Sequence, residues 1–186
     1  FKQIVYIHLT MSELHLIIGC MFSGKTTELL RIAKRLKSIG QSVTLINYAE
    51  DTRYSTTDVT THDKYSCADI ESHYTNDLNT LDDRNYQVIC INEAQFFTGL
   101  KTFCIDLLNK SKIVYVSGLD GDFKQQPFGE ILELIPLCNT ITRLHAFCKV
   151  CRNGNPAYFT KRLTDSTEQK LIGTDEYIPV CREHLL

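Results

Sequence analysis

The sequence predicts an α/β fold: a parallel sheet flanked by helices, with a small metal-binding lobe at the C-terminal end. Three observations predict it. Short apolar runs alternate with segments of helical spacing, a glycine-rich loop lies between the first run and the first helix, and close-spaced Cys and His pairs follow residue 146. With 186 residues, 43% of them hydrophobic and 23% charged, the chain buries roughly 70% of the surface it exposes unfolded, enough for one good core and a small appendage. Nine glycines and four prolines are too few for a collagen-like or low-complexity chain, and the apolar content excludes a disordered one.

Residues 15–18 (HLII) form an apolar run ending at Gly19 and read as the first strand. After Lys25, the apolar positions Leu29, Leu30, Ile32, Ala33, Leu36 and Ile39 follow a helical period, and Gly40 falls where a helix C-cap belongs. Val43–Tyr48 (VTLINY) reads as the next strand, so the chain opens with a strand–loop–helix–strand unit. Val88–Ile91 (VICI) and residues 113–117 (IVYVS) are further short strands, separated by a helical stretch over 101–110. Near-continuous apolar strands of this kind belong to a parallel sheet covered on both faces. Residues 51–65 lack periodicity and read as a long functional loop.

The division follows texture. Met11 is a candidate natural start, which makes residues 1–10 an extension, native or not. Residues 11–146 carry the α/β pattern with the glycine-rich loop, and 147–186 turn to short polar segments around the Cys and His pairs.

Twenty basic against 22 acidic residues give a net charge of −2, which disfavours a mainly nucleic-acid role because duplex binders show a basic footprint. Lys34, Arg35 and Lys37 are the solvated face of the first helix. No apolar run approaches the roughly 18 residues of a membrane span, and no secretory leader pattern opens the chain. The expectation is a soluble, cytoplasmic protein without a membrane partner. Eight cysteines scattered through strand contexts such as Cys90 and Cys138 read as reduced thiols plus a metal site, not as a disulfide framework.

Gly19, Cys20, Met21, Phe22, Ser23, Gly24, Lys25 and Thr26 match GxxxxGK[ST] between a strand and a helix. Glycines let backbone N–H groups turn inward around phosphate oxygens, the lysine reaches the β- and γ-phosphates, and the Thr26 hydroxyl binds Mg²⁺. This makes the sheet a P-loop (RecA-like) one, and alone the loop says nucleoside triphosphate and no more. A second acidic element is expected at a neighbouring strand end, and Asn92 and Glu93 follow VICI. Glu93 is the candidate general base or positioner of an attacking hydroxyl. Lys25 and Glu93 should then converge from adjacent strand ends.

Cys148, Cys151, Cys181 and His184 form CxxC followed by CxxH, and two-residue gaps let each pair grip one tetrahedral Zn²⁺ from a tight turn. A redox CxxC dithiol is the alternative, but it leaves the CxxH pair unexplained. His145, three residues before Cys148, is a competing ligand whose position also fits a strand end.

The stretches GCMFSGKTTEL (19–29), DTRYS (51–55), THD (61–63), NEAQFF (92–97), LDGDF (119–123), PFGEIL (127–132) and TKRL (160–163), together with the zinc spacing, resemble the type II thymidine kinases in content and order. The resemblance runs from Leu14 onward. It implies transfer of the ATP γ-phosphoryl group to the 5′-hydroxyl of thymidine, and of deoxyuridine, in pyrimidine deoxynucleotide salvage. Glu93 would be the base. Lys25 and Arg53 would face the transferred phosphoryl, Asp51 would steady Arg53, and Thr26, Thr27, Asn92 and Gln95 would complete the ATP and Mg²⁺ set. Met21, Phe96, Leu119, Phe123 and Phe128 would line a slot for the base, although by pattern alone these residues read as core. A lasso comprising Leu171, Ile172, Gly173, Thr174, Asp175 and Tyr177 would wrap the base, with structural zinc anchoring its lobe. A homotetramer and feedback inhibition by dTTP are further implications. This chain departs from the family pattern at Asn92 (usually Asp), Cys20 (usually Pro), a single Gly173 in an apparently shorter lasso, and His184 (usually Cys). The competing readings are another P-loop nucleoside or nucleotide kinase, a zinc-ribbon ATPase stimulated by nucleic acid, and a catalytically reduced regulatory module.

Overall fold

The computed structural model describes residues 12–50, 69–170, 173 and 175–185. Among them the main sheet contains β1 (Glu13–Gly19), β2 (Val43–Tyr48), β3 (Glu71–Thr75), β4 (Val88–Ile91), β5 (Ile113–Leu119) and β6 (Thr140–Leu144) in the spatial order β3-β2-β4-β5-β1-β6. Every pairing in it is parallel. Helix α1 (Lys25–Ser38) joins β1 to β2, and α2 (Leu100–Asn109) joins β4 to β5.

The strands alternate their burial as a two-faced sheet requires. Leu14, Leu16 and Ile18 of β1, with Ile89 and Ile91 of β4 and Val114 and Val116 of β5, face Leu100, Cys104 and Leu107 of α2. Ile17, Leu45, Val88 and Cys90 face Leu29, Leu30 and Ala33 of α1 on the other side. A seven-residue 3₁₀ segment, Ile131–Leu137, adds Ile131 and Leu134 to the α2 face.

Helix α1 ends as Gly40 foretells. Gly40 sits at φ 86, its N–H reaches the Lys37 carbonyl at 2.9 Å, and the Gln41 N–H reaches that of Leu36 at 3.2 Å. This paired closure needs a left-handed residue just past the cap, which glycine adopts without strain.

One expectation fails. Lys25 and Glu93 do not arise from adjacent strands, because β5 lies between β1 and β4. The linear order of apolar runs carries no information on which strand inserts between two others.

Past β6, β7 (Ala146–Phe147) pairs antiparallel with β8 (Pro156–Ala157), and β9 (Phe159–Arg162) with β10 (Tyr177–Val180). Ala146, Ala157, Val180, Cys148 and Cys181 form a small core shared with Cys20 of the glycine-rich loop.

Candidate active site and metal centre

The carboxyl ends of the parallel strands gather the chemistry, as they do in open α/β sheets. Gly19 closes β1 with φ 152, and a Cβ there would stand 2.3 Å from the Leu144 carbonyl oxygen of β6. Only glycine fits, so the turn into the loop is fixed by its neighbour strand. Inside the loop, Lys25 is buried and donates from Nζ to the Cys20 carbonyl at 2.7 Å, and Ser23 Oγ donates to the same oxygen at 2.8 Å.

Thr26 Oγ1 donates to Asn92 Oδ1 at 3.2 Å. That bond bridges the glycine-rich loop and the end of β4 despite the intervening strand. Asn92 is itself held twice more: its backbone N–H donates to the Ile46 carbonyl at 2.8 Å, and Nδ2 to Asn47 Oδ1 at 3.2 Å. The next residue, Glu93, is half-buried and takes left-handed backbone angles, φ 52 and ψ 42, before the short 3₁₀ turn Ala94–Phe96. A non-glycine residue in that region is uncommon and costs about 1 kcal/mol.

Gln95 was expected among the nucleotide contacts, and its side chain is engaged within the protein. It is buried, donates from Nε2 to Glu93 Oε2 at 2.7 Å, and accepts from the Leu119 N–H at 3.0 Å. A Cβ on Gly118 would lie 2.6 Å from Gln95 Oε1, so a side chain there has no room. Gln95 thus ties the candidate base to the end of β5. Sequence reading missed this link, because a 3₁₀ turn that folds residue 95 back beside residue 93 leaves no periodic trace.

Beside this point lies an apolar cluster of Met21, Leu119 and Tyr177, with Phe22, Phe123 and Phe128 packed against it. Phe96 meets Phe128 edge to face, ring centres 5.5 Å apart. The structure therefore packs Met21, Leu119, Phe123, Phe128 and Tyr177 together, with Phe96 joined to them through Phe128. The loop is also tied to β8 and β9: the Met21 N–H donates to Thr160 Oγ1 at 3.0 Å and Cys20 Sγ to the Ala157 carbonyl at 3.3 Å. Gly173 and Asp175 precede β10. Asp51, Arg53, Leu171, Ile172 and Thr174 lie outside the described residues, as do residues 1–11 and the loop over 51–65.

The Cys and His pairs converge. The ligand atoms of Cys148, Cys151, Cys181 and His184 all lie within 4.8 Å of one another. Cys151 Sγ and Cys181 Sγ are 3.7 Å apart, and His184 Nδ1 stands 3.8, 3.4 and 3.2 Å from the sulfurs of Cys148, Cys151 and Cys181. Tetrahedral zinc demands edges of about 3.8 Å between sulfurs and about 3.5 Å between sulfur and nitrogen. The donor set fits one zinc ion. Burial of the sulfur works against ionisation of Cys148, but backbone amides of Cys151, Cys181 and Val150 outweigh it and bring the thiol down to about 6, which favours the thiolate a metal needs. His145 is not in the set; its Nδ1 lies 3.1 Å from the Ala146 carbonyl oxygen and its ring faces Phe147 and Tyr158.

Comparison with known proteins shows the family. The family model described as thymidine kinase matches residues 12–185. A thymidine kinase of Oryza sativa subsp. japonica is 44% identical over 94% of this chain and 66% of its own length. One of Myxoma virus (strain Uriarra) is 40% identical over 92% of this chain and 94% of its own. A protein of Gallus gallus named thymidine kinase, cytosolic, is 40% identical over 91% of this chain and 75% of its own. With one family model matching residues 12–185 and relatives of plant, virus and bird at 40–44% identity, the chain belongs to the thymidine kinase family.

Proposed function

We propose that this chain transfers the γ-phosphoryl group of ATP to the 5′-hydroxyl of thymidine, and of deoxyuridine, yielding the nucleoside monophosphate and ADP. The observation that carries the reading is the Thr26–Asn92 hydrogen bond, which joins the phosphate loop to the carboxylate-bearing end of β4 beside the apolar cluster of Met21, Leu119 and Tyr177.

Glu93 accepts the proton of the 5′-hydroxyl as its oxygen bonds to the γ-phosphorus and the bond to the bridging oxygen breaks, leaving ADP. Lys25 exchanges its Cys20 carbonyl for phosphate oxygens, and backbone N–H groups from Gly19 to Thr27 surround them. Arg53, steadied by Asp51, neutralises charge on the equatorial oxygens. Thr26 and Asn92 would hold Mg²⁺, which when bound neutralises the β- and γ-phosphates. The aromatic slot accepts a pyrimidine with or without its methyl group and excludes larger bases by clash. The lasso, 171–177, closes over the base, and zinc on Cys148, Cys151, Cys181 and His184 fixes the ends of its lobe. In this reading residues 11–146 bind ATP and 147–186 form the zinc lobe. The holoenzyme is a cytoplasmic homotetramer inhibited by dTTP. Among the described residues, no helix is long and apolar enough to cross a membrane.

The test is phosphate transfer from ATP to a panel of nucleosides, with ATP hydrolysis followed with and without DNA or RNA. Thymidine monophosphate is the expected product. ATP hydrolysis driven by nucleic acid, with no nucleoside monophosphate formed, would instead indicate the zinc-ribbon ATPase, which the family match does not favour.

Asn92 leaves one negative charge missing beside the metal. Asn92→Asp should lower the Mg²⁺ concentration for half-maximal activity about fivefold, since a unit charge a few ångströms away in partly solvated surroundings contributes roughly 1 kcal/mol. The site accommodates the change: Asn47 Nδ2 is buried without a partner among the described residues, so a flipped Asn47 amide can donate to the new carboxylate. An unchanged Mg²⁺ titration would remove residue 92 from the metal's surroundings.

A further inference from the structure

The TKRL stretch contains a buried cation that the proposed chemistry does not use. Arg162 is only 8% exposed and stands on β9 directly across from Tyr177 of β10. Its guanidinium carbon lies 3.7 Å from the centre of the Phe123 ring and 5.0 Å from that of Tyr177. One terminal nitrogen donates to the carbonyls of Ser166 at 2.9 Å and Glu168 at 2.5 Å, and the other to that of Gln169 and to the Tyr177 hydroxyl. Among the described residues its charge meets carbonyls, a hydroxyl and two aromatic faces, and no carboxylate.

With no carboxylate beside it among the described residues, burying this cation is expensive, and an apolar side chain would fill the same space at less cost. What an apolar residue cannot supply is a planar fork that stacks on rings while donating along its edge. The segment so held, 166–169, ends one residue before the lasso. It is docked a second time on the loop after β5, where Gln169 Nε2 donates to Asp122 Oδ2 at 2.7 Å and Lys124 Nζ to the Thr167 carbonyl at 3.0 Å. Two residues earlier on the same face of β9, Thr160 holds the Met21 N–H of the phosphate loop.

We propose that Arg162 is a positioning residue that sets nucleoside affinity: one guanidinium fixes the Phe123 and Tyr177 walls of the slot and the stem of the lasso before the nucleoside arrives. The proposal rests on the thymidine reading above. Pre-ordering both walls and stem spares binding the loss of their freedom, so its removal acts on nucleoside affinity and not on ATP.

The experiment compares the parent with Arg162→Met and Arg162→Lys, measuring the KM for thymidine, the KM for ATP, kcat and zinc content. Arg162→Met should raise the thymidine KM at least about tenfold, with the ATP KM within about twofold and kcat within about threefold. Arg162→Lys keeps the charge but not the fork, and should raise the thymidine KM at least about threefold. A change below threefold in a zinc-loaded Arg162→Met protein overturns the proposal, as does an equal rise in both KM values. If Arg162→Met does not retain zinc, Arg162→Lys decides on its own threshold. A parent that phosphorylates no thymidine refutes the underlying reading, whereas an active parent with unaltered variants refutes only the role of Arg162.

Discussion

Glu93→Gln lowers turnover at least about 100-fold, the lower range for loss of a general base, while the KM values for ATP and thymidine stay within a few fold. The substitution isolates proton acceptance from placement. Glutamine matches glutamate in shape, and its carbonyl oxygen can still accept from Gln95 Nε2, which now bonds the carboxylate at 2.7 Å. The backbone bonds that force residue 93 into its left-handed turn, Asn92 N–H to Ile46 at 2.8 Å and Phe96 N–H to the Glu93 carbonyl at 3.1 Å, involve no side chain at 93. The variant therefore folds as the parent does. Single-turnover measurement separates the outcomes: a slow chemical step with normal binding assigns the proton to Glu93, and a rate near that of the parent removes Glu93 from the mechanism.

What the sequence disclosed follows burial. The four inner strands and both helices were legible because each is buried in a simple pattern: β2 and β4 are buried at every position, and α1 carries one apolar stripe closed by Gly40. The edges were not. In β3 (ESHYT) and β6 (TITRL), at opposite ends of the sheet, most side chains remain partly or fully exposed, so polar residues there carry no strand signature. The segment Ile131–Leu137 holds Pro136 inside a 3₁₀ helix and shows neither period. Fixed spacing disclosed the glycine-rich loop and each half of the Cys₃His cluster, since local geometry dictates a loop and a close-spaced pair, while the fold brings the two pairs together. The apolar cluster of Met21, Leu119 and Tyr177 with Phe123 and Phe128 was legible as a group only through resemblance, because its members come from the loops after β1 and β5, from the end of β5 and from β10, which only the fold brings together. Arg162 left one usable signal: a basic residue in phase with Thr160, on the inward face of a short strand.

Stripping the metal abolishes thymidine phosphorylation, by at least about 100-fold, and leaves most of the helical signal in place. The two halves of the molecule differ in what holds them. Helices α1 and α2 pack on two extensive apolar faces of the main sheet and do not need the ion. The Cys/His lobe has Ala146, Ala157 and Val180 as its buried apolar core beside Cys20, Cys148 and Cys181, with Phe159, Ile178 and Leu185 only partly buried against it, too little to offset the ordering of four short strands. Structural zinc contributes roughly 10 kcal/mol or more to such a unit at neutral pH. Without it β10 loses its anchor at Cys181 and His184, Tyr177 leaves the slot, and the stem held by Arg162 loses a partner. Cys181→Ser should reproduce the chelated state and release one zinc per chain. His184→Cys should retain both zinc and activity, because thiolate and imidazole serve tetrahedral zinc alike. Metal analysis, circular dichroism at the helical band and the kinase assay on the same samples decide it: a fully active protein shown to be zinc-free would mean that the lobe is held by its own packing.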